Sequence, residues 1–131
     1  MAIKPIVRYM LVCDDWKLEG NDKRIEILGL ISNIHALDDP PFPLLHEELC
    51  VLLLLTDGHG NGDAYIKCVY DETGLTVFET TPRTISFQSS PLNVVGIPFR
   101  VRDCVFPNAG MYTFQFWYDV EKLAEQPVRL R

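Results

Sequence analysis

Apolar and polar positions alternate with a period of two along most of this chain. The clearest stretch runs from Pro107 to Tyr118. Asn108 and Gly110 supply a turn; then Tyr112, Phe114, Phe116 and Tyr118 fall on one face and Thr113 and Gln115 on the other. Period two is the strand signature, because successive side chains leave a strand on opposite sides. A Tyr two residues after a turn Gly, opening a penultimate strand, is a common entry to that strand in β-sandwiches. Its ring packs inward and its hydroxyl ties back to the upstream turn.

The same reading predicts the other elements. Lys4 to Cys13 is a strand apolar on both faces except at Arg8, as a central strand is. Asp14 to Lys23 is polar and carries the turn signature Glu19-Gly-Asn-Asp22. Arg24 to Leu37 is a long strand interrupted at Gly29, where a bulge or a close backbone approach is expected. Three prolines between Asp38 and Pro43 make a stiff crossover from one sheet to the other. Leu44 to Leu49 reads as one helical turn ahead of Cys50 to Leu55, a strand buried on both faces; a single buried helix from Leu44 to Leu55 is the alternative. Asp57 to Asp63 is a hairpin loop, followed by Ile66, Cys68 and Tyr70 on one face with Lys67 opposite. Asp71 to Gly74 is a tight turn. Thr76 to Thr80 and Thr84 to Phe87 are short strands split by Pro82, and Ser89-Ser90-Pro91 breaks the chain again. Ile97, Phe99 and Val101 point in, with Arg100 and Arg102 out; in the last strand Val128 and Leu130 point in, with Arg129 and Arg131 out.

Eight or nine short strands with frequent turn signals make an all-β protein, a single antiparallel β-sandwich over residues 1–131. Several phrases resemble a family of small, uncharacterised bacterial β-sandwich proteins, a domain of unknown function. They are Cys13-Asp14-Asp15, Ile27-Leu-Gly-Leu-Ile31, Phe42-Pro43 in the crossover, Gly110-Met-Tyr112 and the closing Leu123-Ala-Glu-Gln-Pro-Val128. The resemblance implies an immunoglobulin-like or C2-like sandwich and brings neither an activity nor catalytic residues.

Composition narrows the function classes. At 131 residues the chain buries a sizeable core, and its net charge of -6 argues against general nucleic-acid binding, which needs a basic face. Val51 to Leu55, the longest apolar run, is too short to span a bilayer. Lys4 and Arg8 interrupt the N-terminal apolar stretch, which has no small-residue cleavage signal, so a cytoplasmic protein is expected. Cys13, Cys50, Cys68 and Cys104 form no Cys-x-x-Cys pair and read as reduced core thiols too far apart to bridge.

Candidate chemistry is sparse. Asp57, His59, Asn61 and Asp63 flank glycines in a spacing that begins like a calcium loop, but Cys68 stands where the closing Glu belongs. A glycine-rich hairpin explains the run better, and calcium held by converging end-loop aspartates is the alternative. His46-Glu47-Glu48 lacks a second His at zinc spacing and reads as a solvated turn. No nucleophile elbow or phosphate loop is present, so no enzyme and no cofactor are expected. What stands outside the core logic is an interaction set. Arg100 and Arg102, with Arg129 and Arg131, form a basic stripe if their strands share a sheet, and Trp117 points outward nearby. Arg and Trp dominate interface hot spots. The expected function is therefore a non-catalytic interaction or structural module with a protein partner or a second copy of itself, and neither nucleic acid nor membrane. A calcium- or small-ligand-binding module is the alternative.

Overall fold

The computed structural model describes residues 3–20, 24–87 and 94–131. The Ser89-Ser90-Pro91 break and the Asn21-Asp22 part of the first turn lie outside the described residues. Ten strands follow in order: β1 (Ile6–Glu19), β2 (Arg24–Leu30), β3 (Asn33–Ile34), β4 (Leu44–Thr56), β5 (Gly60–Tyr70), β6 (Thr76–Glu79), β7 (Arg83–Phe87), β8 (Val95–Phe106), β9 (Gly110–Tyr118) and β10 (Glu121–Leu130). They form a four-stranded sheet, β2-β1-β4-β8, and a six-stranded sheet, β3-β10-β9-β5-β6, in which β7 also pairs with β5. The all-β sandwich is as expected. The count among the described residues is ten, and β3 runs parallel to β10, so the pairing is not wholly antiparallel.

The inner faces meet in one core. Val51, Leu53, Phe99 and Val101 from one sheet oppose Ile66, Phe114, Phe116 and Val128 from the other, all buried. The Tyr112 expectation is met in detail. Its ring is fully buried, 4.8 Å from the Tyr70 ring and 4.9 Å from Phe106. Its hydroxyl donates to the Asn108 carbonyl at 2.7 Å and accepts from the Asn108 N–H at 3.2 Å. Tyr70 holds the same turn by donating to the Ala109 carbonyl at 2.9 Å. Gly110 is required there: at φ 135° it lies against the Tyr70 ring, 3.0 Å from where a Cβ would stand.

Four expectations are corrected. Leu44 to Leu49 is strand, and β4 runs unbroken from Leu44 to Thr56, because it pairs along its length with β8. His46-Glu47-Glu48 is therefore part of a strand and not a turn. His46 lies opposite the buried Cys104, and its Nε2 is buried without a partner among the described residues. Asp57 to Asp63 is no hairpin: β4 and β5 belong to different sheets, and residues from Gly60 onward are already β5. Asp14 to Glu19 is no loop, since β1 continues through it.

That continuation gives the molecule a third layer. From Ile6 to Cys13, β1 pairs with β4, ending at Cys13 opposite Cys50. From Cys13 to Glu19 it pairs with β2. Gly29, at φ 68°, lies so close to Asp14 that a Cβ there would strike the Asp14 carboxylate. This is the close approach its position suggested. The distal hairpin turns back across the outer face of its own sheet. Ile25 of β2 comes within 3.6 Å of a Cβ built on Gly96 of β8, although β1 and β4 separate these strands in the sheet. Under this arm Cys13, Cys50 and Leu52 are buried on the side away from the main core.

Replacing Tyr112 tests the corner. Tyr112→Phe removes two hydrogen bonds and leaves Asn108 unpaired, an expected loss of about 1–2 kcal/mol. Tyr112→Ala also empties a core site, for about 3–5 kcal/mol. Urea unfolding of both variants measures the difference; equal stabilities for both variants and the wild type would refute the role.

Candidate interaction surfaces

The expected arginine stripe does not form. Arg100 and Arg102 lie on β8 in the four-stranded sheet, whereas Arg129 is the next-to-last residue of β10 in the six-stranded sheet, with Arg131 just beyond the strand. Alternation correctly gave the face of each residue. It carried no information on which strands are neighbours.

Arg100 is occupied within the molecule. It donates to Glu48 of β4 at 2.8 Å and lies 3.3 Å from the Asp15 carboxylate in the arm. Arg102 is exposed, and its guanidinium is 3.9 Å from Glu48. The Trp16 backbone N–H donates to Asp15 at 2.8 Å and, with Arg100, holds that carboxyl below its ordinary range. Glu48 and Asp15 raise Arg100 further above its already high value. Three strands thus meet in one ionic clasp over the outer face of the four-stranded sheet.

Trp117 belongs to a different surface. On the outer face of the six-stranded sheet it stands directly opposite Tyr65 of β5. The two half-buried rings are almost parallel, 7° apart, with centroids separated by 6.0 Å. Lys67 lies over the Trp117 ring at 4.9 Å and over Tyr65 at 5.8 Å. The indole N–H donates to Gln115 at 3.0 Å. Arg129, opposite Met111, projects from the same sheet face. Tyr65 was missed by the sequence reading. Its outward direction was legible from the alternation with Ile66, but its place beside Trp117 follows from the β5–β9 register.

The residues of the calcium alternative are separated in role. The Asp57 carboxylate accepts from Thr56 at 2.6 Å and Arg8 at 2.9 Å, which holds its pKa below the ordinary carboxylate value. His59 exchanges backbone hydrogen bonds with Ile3. Asn61 is exposed on β5, and Asp63 accepts from Thr84 at 2.8 Å. Gly58 and Gly62 are explained by packing, since side chains there would strike Phe87 and Tyr118. Among the described residues, no three His, Cys, Asp or Glu side chains converge as a metal site.

The four cysteines are free and buried, but they are not scattered. Cys13 and Cys50 face each other across β1 and β4. Burial raises both thiols, Cys50 to about 12. Cys68 and Cys104 come from opposite sheets and meet in the core, where hydrogen bonding to Cys104 and burial push the Cys68 thiol up. The expectation of well-separated thiols missed these two contacts, which depend on register and on sheet packing.

With this geometry the family match can be placed. The family model for DUF6941, a family of unknown function, matches residues 8–131. The chain belongs to the DUF6941 family. The match includes both strands of the arm, the Trp117 face and the Tyr112 corner. Among curated proteins, none matches the chain.

Two predictions follow from the electrostatics. Because Asp15 is more acidic in the folded state than in the unfolded chain, its stabilising effect is present above the unfolded value, about 3.9. It is lost as pH falls through the lower folded value. Acid should therefore loosen the arm below about pH 4, read as a change in Trp16 fluorescence in a Trp117→Phe background. Asp15→Asn should remove that step. Calcium at millimolar concentration should give no saturable heat in titration calorimetry, since the Asp57 and Asp63 carboxylates already have partners. A single-site isotherm abolished by Asp57→Asn would overturn this.

Proposed function

We propose that this chain is a non-catalytic interaction module that contacts a protein partner, or a second copy of itself, through the outer face of its six-stranded sheet. The observation that carries the reading is the Tyr65–Trp117 stack with Lys67 laid over it. Here two large aromatic rings stay half open. A rigid aromatic pair gives contact area at little entropic cost, and Trp is a frequent hot-spot residue. Lys67 and Arg129 add positive charge to one face of a chain with net charge -6, which favours a partner presenting carboxylates around an apolar patch. Arg129 and Trp117 remain in this reading. Arg100 leaves it, because its guanidinium is committed to the arm clasp. Four free thiols support a reducing, cytoplasmic setting for the contact.

The test is a Lys67→Glu, Trp117→Ser double variant. Both positions are partly exposed, so the melting temperature should fall only slightly. Sedimentation velocity across a concentration series reports self-association, and affinity capture from the source cell reports partners. The expected result is a weaker self-association or the loss of one captured protein. A folded double variant with unchanged mass and unchanged partners would refute the reading, and Arg102→Glu provides a control on the opposite sheet.

A further inference from the structure

The folded-back arm does not lie flush on the sheet. Between them is a cleft of about 270 Å³. Its floor is Leu52, Gly96 and Pro98 of the four-stranded sheet, and its roof is Trp16 and Ile25 of the arm. Leu18 and Val94 form the lips and are 57% and 65% exposed, an open position for two apolar side chains. Among the described residues, none that lines the cleft is charged.

Two observations indicate what such a space would hold. The first is its size. An apolar cavity of roughly 150 Å³ accommodates benzene, so this one has room for a second ring. The second is the Trp16 indole. Its Nε1 is buried and has no hydrogen-bond partner among the described residues. A buried donor without an acceptor carries a desolvation cost, which an incoming acceptor would relieve. Arg100, the cation of the clasp, is already shared between Asp15 and Glu48 and has no charge to spare for an anionic ligand.

We propose that the cleft beneath the arm binds a neutral, flat, apolar small molecule of about two fused rings bearing one hydrogen-bond acceptor for Trp16. The Trp16 N–H is closed off from water, so binding moves the arm outward by enough to admit the acceptor. The clasp at Asp15 and Arg100 remains the fixed end of that motion. This site is separate from the Tyr65–Trp117 face and does not depend on the interaction reading.

Quinoline is a suitable probe: two fused rings, uncharged at neutral pH, with a single acceptor nitrogen. The experiment is a quinoline titration of the ¹⁵N-labelled full chain, with the Trp16 indole resonance assigned by Trp117→Phe. The expected result is a saturable downfield shift of that resonance, with a dissociation constant on the order of 1 mM or tighter. Gly96→Leu fills the floor and should weaken binding at least about tenfold. A Cβ at Gly96 makes only ordinary contacts with Leu54 and Ile25, at 3.5 and 3.6 Å, so the position admits a side chain. Val94→Glu at the exposed lip gives a second test should Gly96→Leu fail to fold. Absence of a saturable shift overturns the proposal, as does full binding by a folded Gly96→Leu or Val94→Glu variant. If the same resonances shift with protein concentration alone, the cleft is a contact between copies and the small-molecule site is refuted.

Discussion

The architecture depends on burying β4 on both of its faces. Leu49, Val51, Leu53 and Leu55 point into the space between the sheets, while Cys50 and Leu52 point the other way and are buried as well. A two-layer sandwich covers only one face of each sheet. The second face of β4 must therefore be covered by something else, and the chain uses its own first hairpin. Each fully buried Leu or Val side chain is worth about 1.5–3 kcal/mol relative to exposure. Leaving Leu52 and its neighbours bare would thus be costly on the scale of a domain's net stability.

The arm explains why a stretch rich in charge forms strand. Between Asp14 and Glu26 the alternation places Trp16 and Ile25 toward the sheet and Lys17 and Glu26 toward water, where they pair at 3.4 Å. Arg100 then fixes the arm laterally. Each exposed ion pair contributes little by itself. Here their value is geometric, since one guanidinium bonds to carboxylates from β1 and β4. The contrast with the other sheet is instructive. Among the described residues nothing covers its outer face as a layer, and the half-buried Tyr65, Lys67 and Trp117 cover one another.

At the far end of the core, two tyrosines from neighbouring strands hold one turn. Tyr112 ties to Asn108, and the one Tyr70 O–H is shared between the Ala109 carbonyl at 2.9 Å and the Glu72 carboxylate at 2.7 Å. The carboxylate bond raises the Tyr70 phenol to about 12. Buried hydroxyls carry a cost unless they are paired, and these are paired to the backbone of the turn they brace.

The sequence alone determined the direction of most side chains. Alternation is a local property of an extended backbone, so the inward Tyr112, Phe114 and Phe116 and the outward Arg100, Lys67 and Trp117 were legible without a fold. The double burial of Cys50 to Leu55 was legible too, as was the close approach at Gly29. What the sequence did not contain was adjacency. Strand pairing is a long-range choice made by the total burial it achieves, and no local pattern says that Arg102 and Arg129 lie on different sheets or that Tyr65 stands beside Trp117. The arm shows the limit most clearly. Asp14 to Lys23 looked like a loop because its polar residues outnumber its apolar ones. Asp14 to Glu19 became strand because Trp16, with Ile25 of β2, had an exposed apolar face to cover, and only the tertiary structure brought that face to them.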